Sequence, residues 1–164
     1  MDEPHFKPPS LPWGRLLKER FKNKWNYSIE NNIPLLFRNR AGYQVVRYHY
    51  WKTVVTLLEE GYFEPVSNWC DKNKVKFAGH LMGEDNLVSQ IGFTGAAMPL
   101  YEKMHIPGID HLTLSLNWGH GDKEGIDHEK FIMTPKQASS VAHQLGQEEV
   151  LAEMYGVSSE GISF

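Results

Sequence analysis

The chain has 164 residues, of which 41% are hydrophobic, and 17 Lys and Arg against 20 Asp and Glu give it a formal net charge of −3. This length predicts one domain, and it is too short for a complete (β/α)₈ barrel, which usually needs about 250 residues. The near balance of charge gives no electrostatic reason to expect binding to nucleic acid or to an anionic membrane. Cys70 is the only cysteine, which excludes an intrachain disulfide and a zinc site built from cysteines.

Residues 1–42 are predicted to form an extended strap followed by short helices. Four prolines within residues 1–13 are incompatible with a helix and favour a strap that lies over a surface. This segment also lacks the basic and apolar regions of a signal peptide, and no apolar run in the chain is long enough to span a membrane. Helical spacing of apolar residues then predicts a helix from Arg15 to Trp25 and a shorter one around Leu35–Arg38.

Residues 43–164 are predicted to form an α/β region. The longest helical pattern runs from Tyr43 to Glu60, where Gly61 is expected to cap its C-terminus. Three apolar runs predict buried strands at residues 75–80, 109–116 and 150–155. Helical patterns surround these strands: one after Pro65, one within 84–104 that is interrupted by Gly92 and Gly95, and one from an N-cap at Thr134 to His143. Pro107-Gly108 is expected to form a turn. Strands that alternate with helices favour a parallel sheet whose carboxyl ends share one edge.

Polar residues follow each predicted strand at this edge, where ligands bind in parallel α/β folds. They are His80, Glu84 and Asp85 after the first strand, Asp110 and His111 after the second, and Glu153 and Tyr155 in the third. Simpler interpretations exist: the acidic pair can favour a helix N-terminus, His80 can bond a carbonyl, and Asp110 can cap a turn. Glu153 is harder to explain in this way, because a carboxylate within an apolar run must be paired or lie at a functional opening.

Two other segments allow both a structural and a functional interpretation. Residues 117–130 contain His120, Asp122 and Asp127 among other possible ligands, but their spacing fits neither an EF-hand nor a zinc-binding His-Glu-x-x-His helix, and a solvated loop is favoured. Residues 47–51 are rich in aromatic side chains, for which core packing is the simpler interpretation. Aromatic faces and carboxylates together are nevertheless typical of carbohydrate sites.

The order of segments within residues 43–156 resembles the catalytic domain of α-L-rhamnosidase-like glycoside hydrolases, family 106. The most specific pieces are the segment from His80 to Glu84, the Pro-Gly-Ile-Asp sequence at 107–110, and the helix SSVAHQLG that leads to Glu153. The resemblance implies a (β/α)₈ barrel, of which this chain would hold roughly the first half after its N-terminal helices.

The same resemblance implies an inverting, calcium-dependent enzyme that acts on a carbohydrate substrate. Glu153 would be the general acid, and the base would come from a later strand beyond Phe164. A general acid benefits from a pKa raised by desolvation, which an apolar strand end would provide. His80, Glu84, Asp110, His111 and Tyr155 would bind the substrate. We expect the chain alone to be inactive and to self-associate through unpaired strands.

Two alternatives remain open from the sequence. One is a non-catalytic carbohydrate-binding or degenerate relative that keeps the edge residues but lacks the second carboxylate. The other is a metal-dependent hydrolase that uses His80, Asp110, His111 and the loop at 117–130.

Overall fold

Helices surround a small parallel sheet in the computed structural model, which describes residues 1–111 and 128–154. The helices are α1 (Arg15–Trp25), α2 (Ile33–Phe37), α3 (Tyr43–Leu58), α4 (Glu64–Lys72), α5 (Leu87–Phe93), α6 (Met98–Tyr101) and α7 (His128–Leu145). The strands are β1 (Ala78–Gly79), β2 (Ile106–His111) and β3 (Leu151–Met154). The expected α/β class is therefore confirmed. Within these residues, no helix is both long and apolar enough to cross a membrane.

The first core cluster joins the N-terminal helices to α3. Val46, Tyr50 and Val54 recur every fourth residue, so they share one face of α3, and that face buries Phe21 of α1. The indole of Trp25 stacks on His49 with 3.6 Å between ring centroids, and its nitrogen donates a hydrogen bond to Thr53. The predicted apolar stripe on α3 is thus the surface on which the N-terminal helices pack.

The expected helix end at Gly61 is wrong. After α3 the chain continues through a π-helical turn at Glu59–Phe63 and enters α4 without a break. The wider turn brings Phe63 into the second core cluster, where it is fully buried against Phe77. Burial of this aromatic ring outweighs the preference of glycine for a helix end.

The three strands are parallel, and their order in the sheet is β1-β2-β3. The strand positions differ in detail from those predicted: β1 keeps only two residues, and β2 begins earlier and includes Pro107-Gly108, which was expected to form a turn. Gly108 lies directly against the carbonyl of Gly79, where a side chain would overlap it. The glycine therefore permits close approach of two strands rather than a reversal of the chain. The predicted part of this strand at 112–116 lies outside the described residues.

The helices on either side of β2 agree only in part with those predicted. The segment 84–104 forms two short helices, α5 and α6, which are interrupted at Gly95 (φ +85°) as predicted, whereas Gly92 lies inside α5. The helix expected to begin at Thr134 begins instead at His128, so Pro135 lies inside α7 and removes one backbone donor there. Thr134 is fully buried rather than a cap at the surface.

Candidate carboxylate and histidine site at the sheet edge

The carboxyl ends of the three strands bring three of the predicted residues together. Asp110 and Glu153 are register partners on β2 and β3, and His80 directly follows β1. The parallel sheet thus places one side chain from each strand at the same edge, as the sequence predicts. We call His80, Asp110 and Glu153 the edge triad.

His80 lies at the centre of the triad and is only 4% exposed. Its Nε2 is 2.8 Å from a carboxylate oxygen of Glu153. With Nε2 donating to this oxygen, Nδ1 is left as an acceptor, and it has no hydrogen-bond partner in the described part of the chain. The imidazole therefore holds the Glu153 carboxylate in a fixed position.

Glu153 does not have the apolar surroundings that its sequence suggests. Every residue of β3 is exposed, and the side chain of Glu153 is 49% exposed. The expectation of a desolvated Glu153 is therefore wrong. The reason is that no described element covers β3, so its apolar neighbours face outward as well.

Glu84 is the carboxyl group that the fold buries, with 3% exposure. Its carboxylate accepts hydrogen bonds from the Tyr101 hydroxyl and from the backbone N–H groups of Leu81 and Asp110. Burial raises the pKa of Glu84 to about 7, although these three hydrogen bonds favour the ionised form. Glu84 thus ties the end of β1 to the end of β2 from beneath the edge. The N-cap of α5 is Asn86, so Glu84 is not a helix-capping charge.

Two glutamines that sequence reasoning missed support this segment. The Gln90 side chain donates to the Glu84 carbonyl at 2.7 Å and to the Gln137 amide oxygen at 2.9 Å. Gln137 donates to the same carbonyl at 3.2 Å. The available signal was a glutamine within each of two apolar helical faces, since a buried amide needs partners.

The N-terminal strap (residues 1–13) supplies two further acidic groups that sequence reasoning did not place here. Asp2 lies 3.7 Å from Nε2 of His80, and the carboxyl group of Glu3 lies beside Asp110. Burial, and after it hydrogen bonding and charge repulsion from Asp110, raise the pKa of Glu3. Oδ1 of Asp110 is buried without a hydrogen-bond partner among the described residues. Nothing in the sequence of the strap indicates which surface it crosses.

The remaining predicted residues cannot be placed at the site in the same way. His111 ends β2 and pairs in register with Met154, so its backbone lies at the edge. Tyr155 and most of the loop at 117–130 lie outside the described residues. The aromatic segment 47–51 lies on α3, where Tyr48 and Trp51 line a groove of about 310 Å³ together with Ile91 of α5 and Pro99. None of the edge triad lines this groove.

The described donors fit calcium poorly. Two groups of possible ligands occur, one of Asp2, His80 and Glu153 and the other of Glu3, His80 and Asp110. Calcium takes about six to eight oxygen ligands, whereas both groups depend on one imidazole nitrogen, a ligand typical of zinc and other transition metals. The expectation of calcium therefore receives no support from these residues.

Comparison with known proteins identifies no relative of the chain. No protein-family model, no curated protein and no solved structure matches the chain. The interpretation of the site depends on its own geometry and on the resemblance stated above.

Proposed function

We propose that the chain is part of the catalytic domain of an inverting glycoside hydrolase that acts on α-L-rhamnosides. The observation that carries the proposal is the edge triad, which places Asp110 and Glu153 in register on neighbouring parallel strands with His80 bonded to Glu153. Catalytic groups of barrel enzymes occupy this end of the strands. The position of the triad therefore suits the function that the resemblance implies.

The strand order also favours the first part of a (β/α)₈ barrel. Consecutive strands are neighbours in a barrel, whereas the ligand site of a doubly wound sheet lies where the strand order reverses. The described order, β1-β2-β3, shows no reversal. A barrel thus accounts for a site at this edge without a change in strand order.

In the proposed mechanism Glu153 is the general acid. Its half-exposed carboxyl can reach a glycosidic oxygen, and the 2.8 Å contact with His80 Nε2 fixes its position. An inverting enzyme needs a second carboxylate about 6.5–9.5 Å away to activate water on the opposite face of the sugar. In this proposal that base belongs to a later strand of the barrel.

Hydrolysis of an aryl α-L-rhamnoside tests the proposal in the protein encoded by the full reading frame that contains these residues. We expect release of β-L-rhamnose first, observed by proton NMR before mutarotation, because inversion changes the anomeric configuration. First release of α-L-rhamnose would contradict the inverting mechanism. Binding of L-rhamnose without turnover would favour the carbohydrate-binding alternative, and absence of both would overturn the proposal.

A metal-dependent hydrolase is the second candidate, because the ligand atoms within each of the two groups around His80 lie within 4.8 Å of one another. We expect no stoichiometric zinc or manganese in protein purified without chelator if the glycosidase proposal holds. One bound ion per chain, lost in His80→Ala and retained in His143→Ala on the outer part of α7, would favour this second candidate instead.

A further inference from the structure

The N-terminal strap follows a defined path from the helices to the sheet edge. The carbonyl of Pro12 accepts a hydrogen bond from the Tyr50 hydroxyl, and Phe6 packs against the first core cluster. The backbone N–H of Phe6 donates to the carbonyl of Phe93 at 2.7 Å, at the end of α5. The backbone nitrogen of Met1 then donates to the carbonyl of Ala78 in β1 at 2.7 Å. The strap is therefore anchored at both ends.

The end of the strap lies on the residues that a ligand would need. Asp2 approaches His80 at 3.7 Å, and Glu3 lies beside Asp110. Gly79 allows Met1 to lie against β1, because a side chain at residue 79 would overlap the Met1 carbonyl. The oxygens of Asp2 and Glu3 thus occupy the space around His80 and Asp110 in which the hydroxyl groups of a sugar would bind.

We propose that the strap is an autoinhibitory segment that covers His80 and Asp110 and must leave before a ligand reaches them. That the ligand is a sugar rests on the function proposed above. That the strap covers His80 rests only on the contacts of Asp2 and Glu3. The strap is the internal competitor of whatever binds at this edge.

The chemistry of the contact explains how the strap can leave. Two carboxyl groups of the strap face Asp110 and Glu153, with the single imidazole of His80 between them and the buried Glu84 beneath. Like charges at this distance repel each other, so the contact is weaker than one between opposite charges. Glu3 also has a φ of +41°, a backbone conformation that is unfavourable for a non-glycine residue. The docked strap therefore holds strain that its release relieves.

Two variants of the full chain should change the docking of the strap in opposite ways: one should release it and the other should hold it more tightly. Phe6→Ala removes the side chain that anchors the strap in the first core cluster, which contains none of the edge triad, and should release the strap. Glu3→Gln removes the repulsion from Asp110 and offers an amide N–H to that carboxylate, so it should hold the strap more tightly. Phe37→Ala and Glu19→Gln are the controls, since both alter exposed side chains outside the strap.

Reaction of His80 with diethyl pyrocarbonate, followed by peptide mapping, measures the covering directly. A strap that is docked for nine-tenths of the time slows access about tenfold, so release in Phe6→Ala should speed the reaction by about that factor. Glu3→Gln should slow it, and both controls should match the unaltered chain. Equal rates in all five proteins, with unchanged circular dichroism, would overturn the proposal.

Titration with L-rhamnose, followed by NMR, tests the competition. We expect Phe6→Ala to bind the sugar about tenfold more tightly and Glu3→Gln more weakly. Weaker binding to Phe6→Ala, despite a faster reaction of His80, would show that the strap completes the site and would overturn autoinhibition. If no protein binds the sugar, the proposed function fails, and the reactivity of His80 alone decides whether the strap covers the edge.

Discussion

Glu84 is held in a place where its charge is unfavourable, and the fold compensates only in part. Three donors point at a carboxylate that is almost completely removed from water. The net result is a pKa of about 7, well above the ordinary value of 4.5. The ionisation of Glu84 is therefore coupled to the stability of the sheet edge.

We expect the free energy of unfolding to fall as the pH rises through this range. The folded-state pKa is the higher one, so folding favours the protonated form. The contribution of Glu84 is complete below the unfolded-state pKa of about 4.5 and is lost as the pH approaches about 7. At about 1.4 kcal/mol per pKa unit, the loss between a pKa of 4.5 and one of about 7 is at most about 3.5 kcal/mol. Denaturant unfolding at pH 5 and pH 8 measures this loss.

Glu84→Gln is the variant for this measurement, because an amide does not ionise. The variant has one acceptor oxygen fewer at both pH values, so its stability at a single pH does not test the assignment. The difference in the free energy of unfolding between pH 5 and pH 8 does test it, and this difference should be smaller in Glu84→Gln. The exposed Glu102→Gln should keep the change seen in the unaltered chain. A change as large in Glu84→Gln as in the control would contradict the assignment to Glu84.

Tyr101→Phe should lower the free energy of unfolding by about 1–3 kcal/mol. The substitution removes the hydroxyl that donates to Glu84 and leaves a buried acceptor with one donor fewer. Because that hydrogen bond favours the ionised carboxylate, the pH-dependent loss of stability should also extend to higher pH. Tyr62→Phe, at a half-exposed tyrosine, is the matched control. Equal stabilities of the two variants would show that the hydroxyl of Tyr101 contributes nothing.

Glu153→Gln tests the proposed role of the general acid in the protein from the full reading frame. General acid catalysis contributes about 10²–10⁴-fold, so rhamnosides with poor leaving groups should lose activity by that order. Substrates with activated aryl leaving groups need less protonation and should lose much less. Equal losses on both kinds of substrate, with an unchanged pH–rate profile, would assign Glu153 to substrate binding instead.

At the scale of elements, the sequence predicts α1 and most of α3 well, whereas the start of α7 and the positions of the strands are predicted only approximately. The stripe on α3 and the spacing in α1 are sustained over several turns, so local periodicity suffices to identify them. A two-residue strand such as β1 has no periodicity of its own. Pro107-Gly108 is locally typical of a turn, and only the contact of Gly108 with Gly79, which are distant in sequence, reveals a strand.

The candidate site was also predictable only in part. The rule that parallel strands end at one edge brings His80, Asp110 and Glu153 together correctly. It does not distinguish a half-exposed carboxylate from a buried one, because burial depends on what packs above each strand. Asp2 and Glu3 were not predictable, since the docking of the strap depends on tertiary contacts alone.

Gly108→Ala should lower the free energy of unfolding by about 1–3 kcal/mol, the usual cost of overpacking a close contact. The added methyl group would overlap the Gly79 carbonyl and push β1 and β2 apart. Gly61→Ala is the control, because no atom lies within 4 Å of the added carbon in the π-helical turn. There, reduced flexibility of the unfolded chain should leave stability unchanged or raise it by up to about 1 kcal/mol. Thermal or denaturant unfolding of both variants measures the difference, and equal effects would contradict the proposed contact.

At the scale of the whole molecule, β3 is an edge strand of the described sheet with exposed apolar side chains. Val150, Leu151 and Met154 are all exposed, and β3 pairs with β2 on one side only among the described residues. Such an edge can pair with a second copy of the chain. Self-association through this edge therefore stays a prediction.

We expect the 164-residue chain to form dimers or larger species as its concentration rises. Leu151→Lys should reduce this association, because a lysine on an edge strand opposes pairing between chains. Phe37→Lys, at an exposed aromatic residue on α2, is the control and should associate as the unaltered chain does. Size-exclusion chromatography with light scattering measures the mass. A monomer at all concentrations would contradict the expectation.

The link from Gln90 and Gln137 to the carbonyl of Glu84 has a consequence for synthesis of the chain. Gln137 lies 53 residues after Glu84, so this hydrogen bond closes a long loop and cannot form from local sequence alone. During translation, α7 must leave the ribosome before the segment after β1 acquires its full set of partners. A nascent chain paused between β2 and α7 would therefore hold the segment of Glu84 through Gln90 and Tyr101 but without the hydrogen bond from Gln137.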